Sequence, residues 1–206
     1  MKSSLKRIGA VVAARSNSRR LPNKAIMPLN GKPMILFLLQ RLSKSRLIDE
    51  LIVATTNKSS DNQLANLITT NGFKVFRGDE NNLVKRYVDV ANLYSLDYVI
   101  RVTGDCPLVD SVTMDFCIGK IIKKMPFDLA TTKGFFPVGI DYEIYRAEIM
   151  RKIHESVNLS KSEKEHLTLY FYNNKQLFNI VDIFPKKEWK SNNIFTVDTK
   201  GRLSQN

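Results

Sequence analysis

Alternation between strand-like and helix-like patterns is the feature that most restricts the fold of this chain. In the first half, short apolar runs typical of buried strands are each followed by a segment with helical spacing, and this happens four times. Four alternations predict a parallel sheet with helices on both faces, that is, a three-layer α/β/α sandwich. The predicted strands are residues 8–14, 51–55, 74–76 and 98–102, and the predicted helices are 33–46, 61–71, 83–94 and 112–124.

The second half of the chain has a less regular pattern. Strands are predicted at residues 128–131, 140–145, 177–184 and 194–198, and helices at 147–156 and 162–173. Because no linker, repeat or low-complexity segment separates the halves, we expect a single domain over residues 1–206. Within that domain, the second half is expected to form a smaller, lid-like lobe.

The composition of the chain argues against several classes of protein. No apolar run approaches the ~20 residues that a membrane helix requires, so no membrane association is expected. The first apolar stretch ends at Arg15 without a cleavage-like tail, which predicts no signal peptide and a cytoplasmic location. Two cysteines, Cys106 and Cys117, and two histidines lack metal-ligand spacing, so neither a zinc site nor a disulfide framework is predicted.

The net charge of +12 suggests nucleic acid as a first candidate partner. The lysines, however, are spread along the whole chain, and no dense basic tract or basic repeat occurs. This distribution favours a diffuse surface charge over a nucleic-acid footprint, and we predict no nucleic-acid partner. A basic pocket for a small polyanion is compatible with either interpretation.

A strongly basic loop follows the first predicted strand. Residues 15–24 read RSNSRRLPNK and contain no glycine, which excludes a dinucleotide fingerprint and a P-loop. Ligands of parallel sheets bind beyond the carboxyl ends of the strands, where this loop lies together with residues 55–56, 77–78 and 104–105. Arginine forks match phosphate oxygens, so the loop is interpreted as a phosphate site, with a solvated basic loop as the alternative.

Asp105 lies at the end of the fourth predicted strand, on the same side of the sheet as the basic loop. Magnesium prefers oxygen ligands, and a carboxylate opposite a phosphate site is suited to it. The alternative is an aspartate that caps the turn before Pro107. Together with the basic loop, the metal interpretation is favoured.

Several segments together resemble a known family. The pattern R-x-x-S-x-R-L-P-x-K at 15–24, followed by GKPM at 31–34, resembles the nucleotide-binding loop of the CMP-sugar synthetases. The likeness is closest to the spore-coat polysaccharide (SpsF-like) cytidylyltransferases and includes the CMP-KDO synthetases. Further similar segments are IVATT at 52–56, VFRGDE at 75–80, RVTGDCPL at 101–108, GIDYE at 139–143, EHLT at 165–168 and FTVDT at 195–199.

The resemblance implies a cytidylyltransferase that moves CMP from CTP to a sugar or sugar-acid hydroxyl and releases pyrophosphate, with Mg²⁺ as cofactor. Such an enzyme supplies precursors for surface polysaccharides. The implied fold is the nucleotide-diphospho-sugar transferase type, with residues 1–125 holding the nucleotide and 126–206 forming an acceptor and dimerisation lobe of a homodimer. Two alternatives stay open: an NDP-sugar pyrophosphorylase-like enzyme, and a non-catalytic protein that binds nucleotide or nucleic acid.

The resemblance also implies roles for individual residues. The nucleotide contacts fall on Arg15, Ser18, Arg20, Lys24, Thr55 and Arg77, and the acceptor-side positions are Asp141, Glu143, Glu165 and His166. Arg15, Lys24 and Asp105 are the expected catalytic residues, and Asp105 and Asp198 the expected metal ligands. Cys106 is interpreted as a small buried residue. For His166, a general-base role and a role in the acceptor pocket both stay open.

Overall fold

The computed structural model of the protein describes residues 6–18 and 20–197. Within these residues, the strands are β1 (Ile8–Ala13), β2 (Pro28–Leu29), β3 (Lys32–Pro33), β4 (Glu50–Thr56), β5 (Lys74–Gly78), β6 (Tyr98–Thr103), β7 (Leu129–Thr131), β8 (Glu143–Arg146) and β9 (Ile180–Asp182). The α-helices are α1 (Met34–Leu42), α2 (Asn62–Thr70), α3 (Leu83–Leu93), α4 (Ser111–Ile121), α5 (Ala147–Ser156), α6 (Lys161–Glu165) and α7 (Leu169–Asn173). Short 3₁₀ turns cover Lys24–Ile26, Ser59–Asp61, Ile122–Lys124, Lys175–Leu177 and Lys187–Trp189.

A seven-stranded sheet in the order β5-β4-β1-β6-β8-β7-β9 forms the centre of the molecule. The strands β5, β4, β1 and β6 are parallel, so their carboxyl ends lie along one edge of the sheet. Strand β8 runs antiparallel to both β6 and β7, and β9 is parallel to β7. The sheet is therefore mostly parallel, as the alternating sequence pattern predicts.

Strand β1 shows why its sequence is a continuous apolar run. Ala10 and Val12 pack into one hydrophobic cluster and Val11 into another, on the opposite face of the sheet. Both faces of the strand are buried, so polar residues have no solvent-facing positions to occupy.

Helices cover both faces of the sheet. On one face, α1, α2 and α4 contribute Leu38, Leu64 and Met114 to the first cluster. On the other face, α3, α5 and α7 contribute Tyr87, Met150 and Phe171 to the second cluster. This arrangement confirms the predicted α/β/α sandwich. None of the helices in the described part of the chain combines the length and apolar character that crossing a membrane would need.

The predicted helix over 162–173 is wrong, because the structure divides this segment into α6 and α7. Between them, Leu167 is buried and the hydroxyl of Thr168 donates to a carboxylate oxygen of Glu143 at 2.7 Å. His166 has φ and ψ of −109° and 86°, outside the helical range. A tertiary hydrogen bond thus draws the chain out of helical geometry at the junction.

Two predicted strands also need correction. The strand predicted at 140–145 begins only at Glu143, because Ile140 N donates to Pro137 O in a turn. The segment predicted at 194–198 forms no strand over its described residues. It makes isolated backbone bonds, from Phe195 N to Val138 O at 2.7 Å and from Val197 N to Asp105 O at 2.9 Å.

Candidate functional site

A cavity of about 1010 Å³ opens beyond the carboxyl ends of β1 and β6. Its walls come from the loop after β1, the start of α3, the turn after β6, and α6. The cationic side chains that line it are Arg15, Arg20, Lys24, Arg86, Lys161 and Lys164, and the anionic ones are Glu80, Asp105 and Glu165. Because cations predominate, the cavity suits a polyanionic ligand.

The loop at residues 15–24 is here called the phosphate loop. Two of its backbone N–H groups donate to the carbonyl of the same residue, Ser16. The carbonyl of Ser16 accepts hydrogen bonds from Ser18 N at 2.9 Å and from Asn23 N at 2.8 Å. Asn23 takes a left-handed conformation with φ of 58°, which asparagine tolerates better than most residues. The 3₁₀ turn then begins at Lys24, whose side chain reaches the cavity.

Lys24 and Asp105 meet on the cavity wall. Lys24 Nζ donates to Asp105 Oδ2 at 2.5 Å, although the two residues are 81 positions apart in sequence. Burial alone would raise the pKa of Asp105, but the charge and hydrogen bond of Lys24, together with a hydrogen bond from Thr103, hold the pKa below its usual value. Asp105 is therefore an anion at neutral pH, held against a cation of the phosphate loop.

Gly104 allows the turn that carries Asp105 to approach β1 closely. A Cβ atom at this position would lie 3.0 Å from both the carbonyl oxygen of Ala13 and the Cβ of Ala14. A larger residue would push the turn away from the start of the phosphate loop. The glycine thus contributes to the short distance between Lys24 and Asp105.

The fit of this site to magnesium rests on Asp105. Oδ2 of Asp105 contacts Lys24, and Oδ1 lies 3.7 Å from the Cys106 sulfur. In the described ranges, no group of three or more His, Cys, Asp or Glu could hold a metal ion by itself. Magnesium is commonly held by one or two carboxylates together with substrate phosphates, so one carboxylate beside a phosphate loop fits the ion. Asp198, the second predicted ligand, lies outside the described residues.

Two of the predicted acceptor-side residues line the cavity. Glu165 and His166 lie at the end of α6, and Glu165 Oε1 is 4.0 Å from a guanidinium nitrogen of Arg15. Residues from the two halves of the chain thus meet at the cavity. The predicted acceptor helix and the predicted phosphate loop both line it.

Glu143, a predicted acceptor-side residue, does not line the cavity. Its side chain is fully buried and forms ion pairs with Arg101 and Lys133, both at 2.9 Å. Thr168 and Tyr172 also donate to it, at 2.7 and 3.2 Å. With four donors around it, the carboxylate has no free face for a ligand. Burial alone would raise its pKa, but Arg101 and Lys133 hold the pKa below its usual value.

Three further predicted site residues do not line the cavity. Asp141 accepts a hydrogen bond from Gly139 N at 2.8 Å, within its own loop. Thr55 is fully buried and donates to Asp61, at 2.9 Å. Arg77 donates to the carbonyls of Thr56 and Lys58 and to Asn62, and so ties β5 to the segment after β4.

Cys106 is buried, and burial raises the pKa of its thiol to about 12. The thiol is therefore protonated at neutral pH, which agrees with a small buried residue and argues against a nucleophile.

Sequence reasoning missed Arg86, Lys161, Lys164 and Asn81, all of which line the cavity, and it included Glu80 only within the similar segment at 75–80. Arg86 is only 3% exposed, and its guanidinium donates to the carbonyls of Asp79 and Glu80. The sequence did contain a signal for Arg86, because this residue falls on the apolar stripe of α3, where a charged side chain is unusual. The two lysines gave no such signal, since they occur in an ordinary polar helix.

The mostly parallel sheet, the basic loop beyond β1 and the carboxylate on the facing turn define an α/β protein built to hold a phosphate-rich ligand. The chain belongs to the cytidylyltransferase family, whose sequence model matches residues 10–205. This places it among the nucleotidyltransferases that use CTP and confirms the family predicted from the sequence.

Two relatives cover most of the chain. An uncharacterized protein of Methanocaldococcus jannaschii is 34% identical over 94% of this chain and 79% of its own length. The spore coat polysaccharide biosynthesis protein SpsF of Bacillus subtilis is 30% identical over 92% of this chain and 80% of its own length. The 3-deoxy-manno-octulosonate cytidylyltransferase of Pelobacter propionicus is 31% identical over 62% of this chain and 49% of its own length.

Solved structures agree with this assignment. A cytidylyltransferase from Leptospira borgpetersenii superimposes with a TM-score of 0.88 and 31% identity, covering 94% of this chain and 82% of the other. A CMP:2-keto-3-deoxy-manno-octonic acid synthetase solved with CTP gives a TM-score of 0.73 at 18% identity, covering 97% and 96%. At that identity, the second similarity supports the fold alone.

Proposed function

We propose that the protein transfers CMP from CTP to a hydroxyl of a sugar or sugar acid and releases pyrophosphate. The observation that carries this proposal is the contact of Lys24 with Asp105 inside a cationic cavity. It brings a phosphate-binding cation and a candidate metal-binding carboxylate together at the edge of the sheet where ligands bind. The family relationship supplies CTP as the nucleotide.

In the proposed reaction, the acceptor oxygen bonds to the α-phosphorus and the bond from that phosphorus to pyrophosphate breaks. The hydroxyl proton is released to the buffer. Charge develops on the reacting phosphoryl group and on the leaving pyrophosphate, and cations at fixed positions stabilise it. We assign Lys24 to the reacting phosphoryl group, and Arg15 with Arg20 and Ser18 to the remaining phosphates.

Asp105 is the residue of the described chain that would hold Mg²⁺. When bound, the ion would neutralise phosphate charge without proton transfer. Lys24 restrains the carboxylate of Asp105, so the side chain is already ordered before the nucleotide binds.

The acceptor is proposed to contact the wall formed by α6. Lys161, Lys164 and His166 line the cavity there, together with residues of the phosphate loop. An acidic sugar agrees with the cations of this wall and with the name of the octulosonate relatives. The spore-coat relative supports a place in the synthesis of a surface polysaccharide precursor.

A substrate screen tests the proposal. The purified protein is incubated with Mg²⁺, one of CTP, UTP, ATP or GTP, and a panel of acidic sugars, while pyrophosphate release is followed. We expect release with CTP that depends on one of the sugar acids. Release that depends on a sugar 1-phosphate instead would identify a pyrophosphorylase-like enzyme. Salt-sensitive duplex binding with no affinity for CTP would contradict the proposal.

A further inference from the structure

Asp61 is a buried carboxylate that does not line the cavity, although it contacts the phosphate loop. It lies at the start of α2 and is 1% exposed. Its Oδ1 accepts the backbone N–H of Ser16 at 2.7 Å. Its Oδ2 accepts from the Thr55 hydroxyl at 2.9 Å, from Thr56 N at 3.1 Å, and from the Thr56 hydroxyl. One carboxylate therefore joins the end of β4 to the beginning of the phosphate loop.

Ser16 transmits this restraint through the loop. Its N–H is held by Asp61, while its carbonyl holds the N–H groups of Ser18 and Asn23. Arg15 precedes Ser16, and Lys24 follows Asn23. Arg15 and Lys24, two of the side chains assigned to the phosphates, thus leave the backbone on either side of a segment that Asp61 holds in place.

The chemistry of the contact requires a carboxylate. All four groups that reach Asp61 are donors, and an ionised carboxylate is the side chain that only accepts. An asparagine would turn its NH₂ group toward one of these donors and leave it without a partner. Burial alone would raise the pKa of Asp61, but the hydrogen bonds from Thr56, Ser16 and Thr55 hold it below its usual value.

We propose that Asp61 is a positioning residue for the triphosphate, which acts through Ser16 and does not touch the nucleotide. The inference rests on the proposed function, because it assumes that the phosphate loop holds CTP. It assigns Thr55 a new role as well: the hydroxyl orients Asp61 and does not contact the nucleotide.

The test compares the dissociation constants of CTP and CMP, measured by calorimetry with Mg²⁺ present. The variant Asp61→Asn is expected to loosen the loop and so to weaken its contacts with the two outer phosphates of CTP. CMP lacks these phosphates, so the loss, roughly tenfold, is expected in the affinity for CTP. The CMP affinity is expected to stay within about twofold, since CMP lacks the outer phosphates and Lys24, assigned to the α-phosphate, contributes to kcat more than to binding. A general loss of stability would lower both affinities together, so the ratio separates positioning from a structural role.

Asp115→Asn is the matched control. Asp115 also accepts a backbone N–H, from Arg46 at 3.0 Å, and a serine hydroxyl, but at a loop that does not line the cavity. We expect it to leave the ratio of CTP to CMP affinity unchanged. If Asp61→Asn does not fold, Thr55→Val replaces it, with an expected loss of about threefold in CTP affinity. Thr55→Ser keeps the hydroxyl and is expected to restore wild-type affinity.

The outcomes are distinct. A wild-type protein that does not bind CTP overturns the proposed function, and this inference with it. If the wild type binds CTP, the inference is overturned when the variants keep the wild-type ratio or lose affinity for CTP and CMP equally. Selective loss for CTP, with rescue by Thr55→Ser, supports it.

Discussion

Lys24 has the most specific proposed role among the individual residues, because its ammonium lies beside Asp105, the described carboxylate that we propose holds the metal. A cation that stabilises charge developing on the reacting phosphoryl group contributes to kcat more than to substrate binding. A cation on the outer phosphates, such as Arg15, contributes mainly to binding. The two positions on one loop can therefore be separated by kinetics.

Replacing Lys24 by alanine is predicted to lower kcat by about a hundredfold while KM for CTP changes little. Arg15→Ala is predicted to raise KM for CTP more than it lowers kcat. Steady-state kinetics with varied CTP measures both. Lys44→Ala removes a similar charge from an exposed position and serves as the control. Wild-type turnover in Lys24→Ala would show that Lys24 does not act on the reacting phosphate.

Asp105→Asn is predicted to abolish Mg²⁺-dependent turnover and leave the fold intact, because the amide keeps the shape of the carboxylate but not its charge. Turnover across a range of Mg²⁺ concentrations, together with thermal unfolding, measures the two effects. Asp89→Asn alters a surface pair with Lys85 and is the control. Full activity at ordinary Mg²⁺ concentration would remove Asp105 from the metal site. The predicted partner Asp198 is tested by the same measurement on Asp198→Asn.

At the scale of elements, the junction between α6 and α7 depends on the buried charge of Glu143. The carboxylate accepts hydrogen bonds from Arg101 of β6 and from Thr168 of the junction. It therefore connects the sheet to the segment that places His166 at the cavity. Removing one partner of a buried ion pair leaves an uncompensated charge, which is strongly destabilising. Glu143 therefore has a structural role in this fold.

Glu143→Gln is predicted to lower the free energy of unfolding by about 3 kcal/mol at neutral pH. The folded-state pKa of Glu143 lies below its ordinary value of 4.5. Its stabilising contribution is thus complete above that value and is lost as the pH falls toward the folded-state pKa. Urea unfolding at neutral and acidic pH measures the difference, which should shrink in acid. Glu148→Gln, at an exposed pair with Lys152, should leave the midpoint unchanged. A midpoint in Glu143→Gln equal to wild type would contradict this role.

The sequence predicted local elements better than it predicted tertiary contacts. Buried parallel strands such as β1 are recognisable as apolar runs, and the loops that follow them lie at one edge of the sheet. The sequence therefore predicted that the basic loop and Asp105 lie close together, as they do at the cavity. The break before α7 was missed because it depends on a hydrogen bond from Thr168 to a residue 25 positions away. Glu143 was assigned to the acceptor side by a motif match, which does not show which way a strand residue faces.

At the scale of the whole molecule, the antiparallel strand β8 joins the parallel half of the sheet to β7 and β9. The second half of the chain therefore extends the same sheet, and α6 lines the cavity together with the phosphate loop. A homodimer formed through this second half stays a prediction, based on the family resemblance. Sedimentation velocity at high protein concentration measures it, with a dimer as the expected result, and a monomer would contradict the assembly without affecting the fold.

The fate of the α-phosphate of CTP distinguishes the transfer of CMP from other reactions of the nucleotide. CTP labelled at the α-phosphorus is incubated with the protein, Mg²⁺ and the acceptor that supports pyrophosphate release, and the products are separated. We expect the label to move into a conjugate of CMP with the acceptor, while a label on the γ-phosphorus leaves in pyrophosphate. An α-label recovered only as free CMP, or a γ-label attached to the acceptor, would contradict the transfer of CMP.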